Sequence, residues 1–178
     1  MLITRRLEFK DGSIELFGQR VNISSPDWIA LYTLSINEDT ILTKGLYRAS
    51  KQSVLDSSQN IEQYARSNDK QPREVLADFV SLFGWGIVRF EGFDREGVDG
   101  VITLSNTPIS KRIRNNVTSQ CDHVARGILA GLCSILYEQD VDIVESECVG
   151  TGAEACRFQV NNSKKLETTN AKLYSKQV

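Results

Sequence analysis

Residues 145–158 read ESECVGTGAEACRF. Cys148 and Cys156 lie either side of a turn that holds Gly150 and Gly152, and Glu145 precedes the first cysteine by three positions. The flanks, VDIV before and RFQV after, alternate or run apolar as strands do. Glycine supplies the backbone freedom of a sharp reversal. The stretch therefore predicts a β-hairpin with a thiol on each arm. All four cysteines of the chain, Cys121, Cys133, Cys148 and Cys156, fall in its last third. In a reducing compartment such clustering points to a metal or to catalysis more than to disulfides.

Working outward, residues 120–139 read as a strong helix, with Val124, Ile128, Leu132 and Ile135 on one side and Gly127 and Gly131 making a smooth patch for a close neighbour. WGIVRFEGF (85–93) and DGVITLSN (99–106) read as strands. PREVLADFVSLFG (72–84) is an amphipathic helix opened by Pro72 and stopped by Gly84, burying Val75, Leu76, Phe79, Val80 and Phe83. One long helical stretch is expected over 39–67, with Gly45 and Ala49 as a close-packing strip. A shorter helix before it starts at Pro26, capped by Ser25. The N-terminus, 1–24, predicts a hairpin around Asp11-Gly12, with Leu7, Phe9, Ile14 and Leu16 alternating, and a third strand through Val21 and Ile23. SKRIRNN (110–116) reads as a solvated loop, and the polar tail 162–178 as frayed helix or disorder. The expectation is one α+β domain spanning 1–178, with an antiparallel sheet and helices packed on one face.

The 178 residues, 40% apolar and 25% charged with net charge −2, suit an ordinary globule and give no footprint for nucleic acid. No apolar run reaches the roughly 18 residues of a membrane span. The charged start, MLITRRLEFKDG, lacks a signal-peptide core, so the expected location is cytoplasmic.

Zinc takes thiolate, imidazole and carboxylate ligands in a tetrahedron. Cys148 and Cys156 supply two, and Cys121, at the start of the long helix and on its inward face with Ala125, Ile128 and Leu132, offers a third. Cys133 lies twelve residues further along, too far up the helix to share the site. Glu145, Glu147 and His123 all remain candidates for the fourth ligand. Strict strand alternation sets Glu145 and Cys148 on opposite faces, so a bulge would be needed to bring Glu145 round. Three thiolates and a carboxylate around one divalent ion leave a charge of −2, which backbone N–H groups of the glycine turn would have to offset. Plain packing of the cysteines as small apolar side chains is the competing reading.

The segment 121–160, CDHVARGILAGLCSILYEQDVDIVESECVGTGAEACRFQV, resembles the 4-vinyl reductase (4VR) domain and the sensor domains of bacterial aromatic-responsive activators. The carriers are a cysteine opening a small-residue helix, a strand ending E-x-E-C, and x-G-x-G-x-x-x-C-x-F. LYRASKQS, LFGWGIV and LSNTPIS extend the resemblance over 39–161. It implies a fold related to vesicle-tethering subunits and haem-based nitric-oxide sensors, with an apolar ligand between helices and sheet, and frequent dimers. By position it implies a structural zinc on Cys121, Glu145, Cys148 and Cys156.

The leading functional expectation is a sensor or carrier for a hydrophobic, aromatic or lipid-like molecule. Leu46, Phe79, Phe83, Trp85, Ile128 and Leu132 are the candidate cavity residues, each of which could equally be core. A non-catalytic adaptor is the alternative, working as a homodimer or with an effector protein, with Trp28, Tyr32 and Tyr47 as candidate interface aromatics. Vinyl reduction is disfavoured: G-x-G-x-x-G after a strand and G-x-x-x-x-G-K-[ST] are absent, and His123 is the single histidine.

Overall fold

The computed structural model describes residues 7–10, 12–16, 19–21, 25–93 and 98–178. Its centre is a four-stranded antiparallel sheet made of β4 (Ile87–Glu91), β5 (Gly100–Ser105), β6 (Val141–Glu147) and β7 (Cys156–Asn162), in the order β4-β5-β7-β6. The register pairs Leu104 with Cys156, Ile102 with Phe158 and Ile143 with Val160. Each of these six side chains is buried, so all point to one face. The alternate residues Val101, Thr103, Arg157 and Gln159 are only partly covered.

Helix α6 (His123–Leu136) lies on that inner face, and α2 (Thr40–Leu55) packs on α6. Gly127 and Gly131 are the point of approach. A Cβ on Gly127 would stand 2.4 Å from the Tyr47 carbonyl oxygen, and one on Gly131 2.7 Å from Val54 Cβ. The partner strip on α2 is Tyr47, Ser50, Lys51 and Val54, and not Gly45, whose missing Cβ meets open space. The four-residue spacing of the small pair was legible on α6; on α2 it had no structural meaning.

The other helices are α1 (Pro26–Ile36), α3 (Ser58–Ser67), α4 (Pro72–Leu82) and the short α5 (Ser110–Ile113). Ser25 caps α1 by accepting from the Asp27 amide. The single stretch expected over 39–67 is two helices: the Asp56 and Ser57 amides bond back to Gln52 and Val54, and α3 starts afresh at Ser58. Gly84 follows α4 at φ +73°, as a helix stop requires. Residues 110–113 form a helical turn rather than a loop, because Ile113 is buried.

The N-terminal ribbon is a separate three-stranded sheet, β1 (Leu7–Lys10), β2 (Ser13–Leu16) and β3 (Gln19–Val21), in that order. Asp11 of the expected turn and Ile23 of the expected third strand lie outside the described residues. The tail corrects the expectation of fraying. It forms α7 (Ser163–Thr169) and α8 (Ala171–Gln177), with Leu166 and Gln177 buried. Leu166 supplies the apolar anchor, and α8 packs on α2 and β6. Among the described residues no helix is long and apolar enough to cross a membrane.

Candidate metal centre and apolar cavity

The hairpin turn at residues 148–153 builds the first site. Val149–Thr151 form one 3-10 turn, and Gly152 leaves it at φ +103°. The turn aims two amides at sulfur: Gly150 N–H donates to Cys148 Sγ at 3.3 Å and Val149 N–H to Cys156 Sγ at 3.4 Å. Residue 150 must be glycine. A Cβ there would stand 2.8 Å from Cys121 Sγ, 3.3 Å from Cys148 Sγ and 2.5 Å from a Val117 methyl. Across strands β6 and β7 the register shifts between Glu145 and Glu147, a bulge at Ser146. The bulge lets Glu145, paired with Phe158 on the inner face, share a site with Cys148.

Ligand atoms of Glu145, Cys148 and Cys156 all lie within 4.8 Å of one another. Cys121 joins them with its Sγ 3.2 Å from Cys148 Sγ. It does so from outside α6. Asp122 is the N-cap and His123 the first helical residue, so the helical-wheel placement of Cys121 beside Ala125, Ile128 and Leu132 does not hold. Of the two other fourth-ligand candidates, Glu147 is exposed and pairs with Arg157 at 3.6 Å. His123 is turned away, its Nε2 3.4 Å from Asn37 Oδ1 and its Nδ1 3.5 Å from Arg126 Nη2. Burial and then Arg126 hold its ring far below the ordinary value, to about 3. Cys133 is buried apart from the cluster, and burial alone raises its thiol to about 12.

Electrostatics make the cluster hungry for a cation. The Cys121 and Cys156 thiols both hydrogen-bond to Cys148, which holds that one sulfur down as thiolate and pushes the other two up. Burial, then the Cys148 charge, raises Glu145 well above the carboxylate range. Glu145 Oε2 accepts the Asp122 amide at 3.0 Å, but Oε1 has no partner. Asp122 is 1% exposed and neither carboxylate oxygen has a hydrogen-bond partner. Burial, then Cys148, lifts it to about 7. Three sulfurs and an orphaned carboxylate oxygen are the donor chemistry of zinc. The residues fit such an ion, which would take up the charge that the thiols otherwise hold as protons.

A polar lattice ties this end to α8. Arg126, fully buried, donates to the Gln177 side-chain oxygen and main-chain carbonyl, both at 2.7 Å, and lies 4.3 Å over the Tyr47 ring. The Gln177 side chain also accepts the Glu145 amide (2.7 Å) and donates to the Glu145 carbonyl (2.9 Å). Asp142 accepts from Tyr47, Lys51 and Tyr174 at 2.7–2.9 Å. Sequence reading missed Asp122, Arg126, Asp142 and Gln177. Arg126 carried one signal, a lone charge in the apolar run VARGILAG.

The second site is a cavity of about 490 Å³ between α2, α3, α4, α6 and the N-terminal ribbon. Phe79, Phe83, Trp85, Ile128 and Leu132 line it, whereas Leu46 does not. Phe83, expected in the core, is 46% exposed at its rim. Ser53 and Asn60 add neutral polar groups, Arg20 reaches the wall from the ribbon, and no carboxylate lines it. Of the candidate interface aromatics, Trp28 and Tyr32 are exposed on α1, and Tyr47 is buried under Arg126.

Residues 101–162 match the V-4-R (4-vinyl reductase) domain, a narrower span than 39–161. No curated protein sequence gives a significant match. Among solved structures, the chain is similar to the phenol-responsive sensory domain of the transcription activator PoxR with phenol (17% identity, 97% of this chain and 93% of that one, TM-score 0.75). It is also similar to a vinyl-4-reductase family protein from Methanocaldococcus jannaschii (22% identity, 82% and 85%, TM-score 0.55). A trafficking protein particle complex subunit 3 from Naegleria fowleri, covalently bound to palmitic acid, aligns at 9% identity over 76% and 93% of the chains, with TM-score 0.48. At these identities the likeness is one of fold.

Proposed function

We propose, with the 4-vinyl reductase domain match over residues 101–162 as premise, that this chain senses or carries a small hydrophobic molecule, aromatic or lipid-like, and is stapled by a structural zinc. The observation that carries the reading is the cavity of about 490 Å³, walled by Phe79, Trp85, Ile128 and Leu132 and lacking any carboxylate. Its size and largely apolar wall with a few polar groups are those of a small-molecule site. The PoxR domain, alike in fold, is described with phenol, which supports an aromatic occupant here.

Zinc would be held by Cys121, Glu145, Cys148 and Cys156, a closed set that leaves no position for water and therefore serves structure and not catalysis. The support is the convergence of those four groups and the two amides aimed at sulfur. A homodimer or effector contact would use the exposed Trp28, Leu31 and Tyr32 on α1. The cytoplasm, where thiols stay reduced, suits this chemistry.

Native mass spectrometry of the purified protein, alone and with a panel of phenols and C8–C16 alcohols, tests the ligand reading. A 1:1 adduct that is lost in Ile128→Trp is the expected result. No adduct with any member of the panel would overturn it. Elemental analysis after metal-replete, reducing purification tests the staple, which fails below about a tenth of an equivalent of zinc.

A further inference from the structure

Asp122 is a buried acid with nothing in the fold to satisfy it. Its residue is 1% exposed, both carboxylate oxygens lack a hydrogen-bond partner, and no ion pair reaches it among the described residues. It occupies the N-cap of α6 but makes no capping hydrogen bond. The fully buried cation on the same helix, Arg126, is committed elsewhere, with both terminal nitrogens on Gln177 and its plane over Tyr47. An unpaired carboxylate at such a position is costly, and native folds keep one only where something offsets it.

Its surroundings say what that is. Asp122 follows Cys121 directly in the chain, its amide holds Glu145 Oε2, and the Cys156 thiol is among its side-chain neighbours. The second orphaned carboxylate oxygen of this region, Glu145 Oε1, belongs to the same cluster. We infer that Asp122 is a further acidic partner of the metal centre, a second carboxylate that a bound divalent cation neutralises alongside Glu145. The inference rests on the zinc reading above and deepens it: the centre comprises three thiols and two acids, and metal occupancy offsets a cost carried by the first turn of α6.

This role has a signature that an ordinary helix cap lacks. Removing the charge should help the metal-free protein and harm the metal-bound one. Asp122→Asn keeps the shape, and Asp122→Ser keeps a capping oxygen. Zinc affinity would be measured by competition with a chromogenic chelator at fixed pH, and melting temperature with and without metal. The expected result in either variant is zinc binding weakened by about 10–100-fold, as for other groups that support metal ligands. The metal-free melting temperature should rise by about 2–4 °C. Unchanged zinc affinity, or a fall in melting temperature in both the metal-free and metal-bound forms, would overturn the inference. If the wild-type chain itself takes up no zinc, the four-ligand reading falls and the inference with it. If wild type holds zinc and both variants hold it as tightly, only the role of Asp122 falls.

Discussion

The first turn of α6 and the middle of the same helix are built on opposite terms. At the first turn, buried polar atoms converge, and each depends on a partner at a set distance: Cys121 on Cys148, the Asp122 amide on Glu145, Arg126 on Gln177. Further along, Ile128 and Leu132 border empty space, where shape matters and direction does not. Directional groups in a low-dielectric interior are costly when one partner is lost. An apolar wall beside a cavity can relax or be filled. The polar end should therefore behave as an all-or-none unit and the cavity end as an adjustable one.

The sharpest way to break this contrast is at the turn cysteines. Cys148→Ser or Cys156→Ser should destabilise the protein by about 3–5 kcal/mol, on the order of 10 °C in melting temperature. Chelation of wild type should lower melting comparably, whereas Cys133→Ser, away from the cluster, should leave zinc content intact. Unchanged melting in both turn variants would remove the contrast altogether.

The seam that joins the two ends comes next. Gly131→Val would drive a side chain into Val54 and the Lys51 carbonyl, since even a Cβ stands 2.7–2.9 Å from them. Overpacking of that kind costs about 1–3 kcal/mol, read as a lower midpoint in urea.

Asp142 sharpens the polar side through pH. Burial pushes its carboxyl up, but hydrogen bonds from Lys51, Tyr47 and Tyr174 outweigh burial and hold it below the ordinary 3.8. A depressed carboxylate stabilises the fold above its unfolded value and loses that contribution as pH falls through the folded one. Asp142→Asn should thus cost about 1–3 kcal/mol at pH 7. The gap to wild type should close below about pH 4, as measured by denaturant titration across pH. A gap that persists at about pH 2.5, well below the ordinary carboxylate range, would contradict the assignment.

The smallest effect on stability is expected at the cavity. Ile128→Trp should change folding by less than about 1 kcal/mol while abolishing ligand uptake. A loss as large as that at Cys148 would mean that the cavity wall is no more tolerant than the cluster.

The hairpin carrying Cys148 and Cys156 was legible because its signals are local: alternation, two glycines and a thiol on each arm. So was the close-packing face of α6, since Gly127 and Gly131 lie one turn apart. The bulge at Ser146 was foreseen only as a requirement, because nothing in ESEC marks which residue slips. The break at Asp56 and Ser57 was hidden, as neither is a glycine or proline. Cys121 was placed on the wheel of a helix that in fact begins two residues later, an error of boundary and not of ligand. Asp122 and Gln177 escaped notice for a different reason. Their meaning lies in partners 23 and 32 residues away, and a polar residue's partner leaves no trace in its own neighbourhood.

Gln177 has one more effect, on the outside of the molecule. An outermost strand ordinarily presents a row of unused amides and carbonyls, an invitation to whatever extended peptide drifts by. At Glu145 both main-chain groups are taken by the Gln177 amide, and at Ile143 the amide is taken by the Tyr47 hydroxyl. One glutamine at the end of a short helix thus impersonates a neighbouring strand and closes β6 to templated growth. Any assembly that this domain enters through its main sheet has to begin from another border.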